Sequence, residues 1–195
     1  MKPNFRKGFT LIELLVVLAI VTILTVIATA YYHSGQGQYA LQRSVHKLAQ
    51  DIRRAQAMTM AGEEYQCKCQ PQWALEGYGI TLSKSEKTYS LKARCETSTD
   101  EYCDDSIEEM RLEAKVLVDD LWLTLLPEGS LISSTSSTSS LEVFFYPPNP
   151  TIDFGKVEGA KIIEIRTILG LEDSDSKGAV IINNTGLVAT NFYND

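Results

Sequence analysis

The sequence predicts an α+β protein in which a long N-terminal α-helix, membrane-spanning in its first half, packs on a C-terminal antiparallel β-sheet domain. Three patterns carry that prediction. From Phe9 to Ala30 the only charged side chain is Glu13, set among Leu, Ile, Val, Ala and scattered Thr. From Leu41 to Met58, apolar residues recur at steps of four and three, the period of a helix with one apolar face. Beyond Tyr65 the chain turns to short runs of alternating character divided by turn residues, as strands do.

Taken in order, residues 1–8 form a basic leader with Lys2, Arg6 and Lys7. The apolar run of residues 9–32 follows; at about 1.5 Å per residue, Phe9–Ala30 reaches roughly 33 Å, enough to cross a bilayer. A carboxylate at the centre of such a helix costs on the order of 2.5–3.5 kcal/mol, and less nearer the interface. Glu13 therefore needs a partner, and a free amine four residues upstream on a neighbouring copy of the helix would serve. Tyr31 and Tyr32 stand where an aromatic belt meets the membrane boundary. Gly35 and Gly37 weaken a helix by about 1 kcal/mol each, so a bend or short break is expected there. Residues 33–62 then form an amphipathic extension. Leu41, Val45, Leu48, Ile52, Ala55 and Met58 make its apolar stripe, while Arg43, Lys47, Gln50, Asp51 and Arg54 fall mostly on other faces. The stripe is too short for a coiled coil and reads as a face that docks a sheet. Gly62 suits a C-cap.

Residues 63–195 read as β-rich. Tyr78–Leu82 and Thr88–Arg94 alternate around a turn at 83–87. Further strands are expected at Met110–Val118, Leu121–Leu126, Leu141–Tyr146, Lys161–Leu169 and Ala179–Asn183. A terminal hairpin turns at Asn183–Gly186 and returns through Leu187–Thr190. Ser133–Ser140 and the proline-rich Tyr146–Pro150 read as loops.

The net charge is −7, and removal of the leader takes away Lys2, Arg6 and Lys7 to leave −10. An acidic surface is repelled by phosphate backbones, so nucleic acid is not an expected partner. Cys67, Cys69, Cys95 and Cys103 all follow the apolar run, on the side that the basic leader places outside the cytoplasm. Cys67 and Cys69 are too constrained to bridge each other, so each pairs with Cys95 or Cys103, in either of two connectivities. A zinc site is the competing use, but the spacing lacks paired CxxC motifs. Two acidic groups, Asp100, Glu101, Asp104 and Asp105, then Glu172, Asp173 and Asp175, offer oxygens to calcium without EF-hand spacing. A solvated loop is the commoner reading of each. His33 and His46 lack a nucleophile or acid pattern, and no catalytic motif occurs, so an enzyme is not expected. Asn183-x-Thr185 fits a glycosylation consensus but is better explained as a turn.

Lys7-Gly8-Phe9-Thr10-Leu11-Ile12-Glu13-Leu14, with its basic leader and unbroken apolar run, resembles the N-terminal signature of type IV pilins and type II secretion pseudopilins. The resemblance implies that a prepilin peptidase cuts after Gly8 and methylates Phe9. It also implies that Glu13 pairs with another subunit's terminal amine during assembly. Looser features resemble the H-type minor pseudopilins and T-type minor pilins. These are Asp51-Ile52-Arg53-Arg54-Ala55-Gln56-Ala57-Met58, a Tyr78-Gly79-Ile80 strand, Phe144-Phe145-Tyr146-Pro147 and the Ile181–Gly186 hairpin. The subgroup's glycine after the proline segment is replaced by Pro148-Asn149-Pro150. The basic tail of its DNA-binding members is absent from Thr190–Asp195.

The resemblance implies a structural subunit, a minor pseudopilin or minor pilin, held first in the inner membrane with its N-terminus cytoplasmic. It then enters a periplasmic or cell-surface filament. The implied partners are prepilin peptidase, fellow subunits, the inner-membrane assembly platform and the membrane, with no cofactor beyond the calcium considered above. Two alternatives stand beside it: a major pilin, and an uncleaved signal-anchored binding domain. Ala28-Thr29-Ala30 also competes as a signal-peptidase site, although a discarded signal has no use for Glu13.

Overall fold

A helix, α1 (Leu11–Ala61), carries both the apolar run and the amphipathic stripe in the computed structural model, which describes residues 10–69, 72–96, 101–127, 134–147, 156–157, 160–172 and 174–193. The chain divides into two compact units, Met1–Gln38 and Tyr39–Asp195. Helical structure runs through Gly35 and Gly37, so the expected break does not occur. Propagation from long helical flanks outweighs a penalty of about 1 kcal/mol per residue. The helix closes in a Schellman motif: Gly62 has φ 62°, its N–H donates to the Thr59 carbonyl at 3.2 Å, and the Glu63 N–H donates to the Met58 carbonyl at 3.1 Å.

Within the second unit, Leu41, Val45, Leu48, Ile52 and Ala55 are all buried, and Met58 packs against them. They face two antiparallel sheets. The first holds β1 (Ala74–Ser83), β2 (Thr88–Glu96), β3 (Tyr102–Arg111) and β6 (Ser140–Phe145) in the order β3-β2-β1-β6. The second holds β4 (Val116–Pro127), β5 (Ser134–Ser137), β8 (Ala160–Leu171), β9 (Ser174–Asn183) and β10 (Val188–Tyr193) in the order β10-β9-β8-β4-β5, with β7 (Lys156–Val157) beside β8. The β1–β2 turn ties the sheets together: Ser85 N–H donates to the Val118 carbonyl at 2.7 Å, and Val118 N–H to the Glu86 carbonyl at 3.0 Å. Side chains from α1 and both sheets share one apolar cluster.

Polar groups fix the helix in register. Thr59 Oγ1 donates to the Ala55 carbonyl and accepts the Tyr78 N–H at 3.2 Å, joining α1 to β1. Arg53 donates to the Val188 carbonyl at 2.8 Å and Gln56 to the Gly186 carbonyl at 2.7 Å, holding the terminal hairpin. Asn183 Oδ1 accepts from Thr185 N, Thr185 Oγ1 and Leu187 N, so the Asn-x-Thr sequence is a side-chain-stabilised turn.

Several sequence expectations are corrected. Met110–Val118 is not one strand: β3 ends at Arg111 and β4 begins at Val116, across a turn in which Lys115 has φ 69°. Met110, Leu112, Val116 and Val118 are all buried, so the alternation continues across the turn and hides it. Tyr102–Ile107 is strand rather than acidic loop; as an edge strand, β3 carries its charges on a solvated margin. Ser134–Ser137 pairs with Leu125–Trp122 as β5 rather than looping free. The two expected strands over 116–126 join as β4 around a bulge between Val118 and Asp120. Pro148–Pro150 lies outside the described residues.

Candidate functional site

The first unit presents a site at the start of α1. Thr10 Oγ1 accepts the Glu13 N–H at 3.3 Å and the Thr10 carbonyl accepts the Leu14 N–H at 3.2 Å. Thr10 is thus the N-cap and Glu13 the third helical residue. A helix N-terminus carries partial positive charge worth about 0.3–1 kcal/mol to a carboxylate at an exposed site. The lone acid therefore stands at the end of the apolar run where its charge costs least.

The rest of that segment suits hydrocarbon. Leu11–Thr29 has mean hydropathy 2.9 and none of it is buried within the protein. Its large apolar side chains, Leu11 through Ile27, are 50–79% exposed. Thr22, Thr25 and Thr29 return their hydroxyl protons to the carbonyls of Ala19, Val21 and Val26 at 2.7–2.9 Å. Hydroxyls satisfied in this way need no water. The Glu13 carboxylate has no side-chain partner among the described residues. Gly8 and Phe9 lie outside the described residues, as do the side chains of Tyr31, Tyr32 and His33.

In the second unit the four cysteines form two bridges, Cys67–Cys95 and Cys69–Cys103, with Cα separations of 6.2 and 6.6 Å. Cys95 and Cys103 are opposite one another across β2 and β3, so Cys67 and Cys69 clasp a register pair from one side. Cys69, Cys95 and Asp105 bring possible metal-ligand atoms within 4.8 Å, but the sulfurs are spent in disulfides rather than available as thiolates. The Asp105 carboxylate accepts the N–H groups of Lys68 and Cys69, positioning the CxC segment.

The same region joins the scattered motifs. Gly79 faces Phe144 across β1 and β6, and a Cβ on Gly79 would run into the Phe144 ring and the Val143 carbonyl. The Arg94 guanidinium lies 3.7 Å from the Phe144 ring centroid and 4.5 Å from that of Tyr102. Asp104 grips it through two hydrogen bonds of 2.8 and 2.9 Å. Asp104 is therefore engaged in structure, as is Glu172, which pairs with Lys87 at 2.6 Å. Asp175 is exposed on β9, whereas Asp100 and Asp173 lie outside the described residues. His46 is exposed and meets Phe192 edge-on at 5.5 Å.

Sequence reasoning missed the cap at Thr10, although Thr-x-x-Glu before an apolar run is its signature. It also missed the Arg94 stack, for which one-dimensional spacing holds no signal.

The first unit thus holds an exposed apolar helix long enough to cross a membrane with a lone acid at its start, and the second a β domain clasped by two disulfides. Residues 3–29 match the prokaryotic N-terminal methylation motif, which indicates a type IV pilin-like prepilin and supports the pilin and pseudopilin family. No curated protein and no solved structure matches the chain.

Proposed function

We propose that the protein is a non-catalytic structural subunit, a minor pseudopilin or minor pilin, of a type II secretion pseudopilus or type IV pilus. Prepilin peptidase removes residues 1–8 in the inner membrane and the new terminus at Phe9 is methylated. The subunit then leaves the bilayer for a filament whose core is packed apolar helices. Lipid tails and neighbouring helices are equally apolar, so this transfer has little hydrophobic driving force. Direction and register come instead from the Glu13 carboxylate meeting a neighbouring subunit's terminal amine.

The observation that carries this reading is Glu13, unpartnered by any described side chain in a helix whose hydroxyls are internally satisfied. The test is Glu13→Ala expressed beside the wild-type chain. Intact mass should show both cut after Gly8, while only the wild type enters sheared filaments. Equal incorporation would refute the pairing role, and a chain still carrying Met1 would refute the processing.

A further inference from the structure

The two disulfides stand differently toward solvent. Cys67 and Cys95 are 1% and 0% exposed, so their bridge is sealed in the domain. Cys69 is exposed and Cys103 half-buried, so their bridge opens to solvent. The bridges are also close neighbours: the sulfurs of Cys69 and Cys95 lie within 4.8 Å of each other, together with an Asp105 carboxylate oxygen.

Register fixes one end of each bridge and leaves the other freer to shift. Cys95 and Cys103 are paired across β2 and β3. Cys67 and Cys69 belong to a stretch between α1 and β1 that forms neither helix nor strand. Around Cys69 the backbone is held by the Asp105 carboxylate, which accepts the Lys68 and Cys69 N–H groups. The outer bridge is also the weaker crosslink. Once Cys67–Cys95 is closed, Cys69 lies two residues from one crosslinked end and Cys103 eight from the other, so the second closure restricts the unfolded chain less than the first. An attacking thiolate must reach a disulfide sulfur, and here the exposed one belongs to Cys69.

We propose that Cys69–Cys103 is a thiol–disulfide exchange site, opened by an external dithiol, and that the freed Cys69 relays the exchange to the sealed Cys67–Cys95 bridge. First, a thiolate of the dithiol attacks Cys69 Sγ. A mixed disulfide forms and Cys103 leaves as a thiolate, which takes up a proton. The dithiol's second thiol then loses its proton and attacks the dithiol's own sulfur in that bond. The dithiol departs oxidised, Cys69 leaves as a thiolate, and two electrons have passed to the protein. In the relay the Cys69 thiolate attacks Cys95 Sγ. The Cys69–Cys95 bond forms, the Cys67–Cys95 bond breaks, and Cys67 leaves as a thiolate with no net redox change. The buried bridge thus exchanges while one crosslink to β2 is kept throughout. This exchange is independent of filament entry through Glu13, and either can fail without the other.

The test opens the full-length chain in neutral detergent with limiting dithiothreitol. At about pH 8.5, near the ordinary thiol pKa, Cys69 ionises despite the Asp105 charge beside it. Iodoacetamide traps the free thiols and nonreducing peptide mapping locates them. In molecules that keep one bridge, Cys103 should carry label, Cys95 none, and the second label should be divided between Cys69 and Cys67. Label on Cys95 in such molecules, a retained Cys95–Cys103 bond, or opening of both bridges together would overturn the exchange site. A second label confined to Cys69 would overturn the relay. Cys103→Ala gives a reading without reductant, because it leaves Cys69 as a thiol beside the closed Cys67–Cys95 bridge. After incubation, a fraction of the variant should label at Cys67 in place of Cys69, with near-ultraviolet circular dichroism showing a folded domain. A folded variant that labels at Cys69 alone refutes the relay.

Discussion

Removing the two disulfides one at a time should expose their coupling. Each bridge considered alone closes a long loop, with sequence separations of 28 and 34 residues. In the chain-entropy account either loop is worth about 3.6 kcal/mol. The pairing changes that sum. With Cys67–Cys95 in place, Cys69 is already two residues from a crosslink whose far end lies eight residues from Cys103. The second bridge then closes an effective loop of about ten residues, worth about 2.7 kcal/mol by the same relation. Cys69→Ala with Cys103→Ala should therefore cost about 2.7 kcal/mol, and removing the remaining bridge afterwards about 3.6 kcal/mol. The first loss should lower Tm by roughly 5–11 °C at this size. Urea and thermal unfolding of the detergent-solubilised chain, followed by near-ultraviolet circular dichroism, would measure both steps. A second removal costing less than the first would refute the nested-loop reasoning. Nonreducing peptide mapping that finds Cys67 joined to Cys103 would refute the pairing itself.

Three further outcomes follow from particular contacts. Tyr89 is buried and its hydroxyl donates to Asp51 at 2.5 Å, so Tyr89→Phe should cost about 1.5–3 kcal/mol in neutral urea unfolding. Burial and the Asp51 bond raise the Tyr89 phenol above its ordinary value; its contribution is full below about pH 10 and fades as pH rises further, so wild type and variant should converge in alkali. A persistent gap there would contradict the assignment. Gly79→Ala drives a Cβ into the Phe144 ring and should cost about 1–3 kcal/mol while loosening the Arg94 stack; unchanged stability would show that the ring moves aside freely. Burial, then repulsion from Glu96, raises the Glu76 carboxyl, so the fold favours its protonated form and loses that contribution as pH climbs through the carboxylate range. Glu76→Gln should stabilise the domain at pH 7, with the difference vanishing toward pH 3 in thermal scans; a destabilised variant at pH 7 would reverse the sign.

The local features were legible because their causes are local. The apolar run with Glu13, the stripe from Leu41 to Met58, the cap at Gly62 and the turn at Asn183–Gly186 each follow from spacing along one helix or turn. Side chains three or four residues apart share a helix face wherever that helix lies. The strand between Tyr102 and Arg111 was harder, because its acids suit an edge that exists only once β2 is beside it. Ser134–Ser137 likewise has weak preferences until β4 offers it hydrogen bonds. Leu112 misled for the opposite reason: alternation continues through a turn when both flanking strands bury the same face.

Tertiary structure alone decided which sulfur meets which, since Cys95 and Cys103 become neighbours only through the β2–β3 register. It also decided the meeting of Gly79, Phe144 and Arg94, three strands' contributions to one stack. Residues far apart in the chain have no fixed distance until long-range pairing removes the freedom of the loops between them. By contrast, an apolar run carries its helical period and its length in any fold, and so the sequence by itself determined a helix long enough to cross a membrane with Glu13 in its first turn.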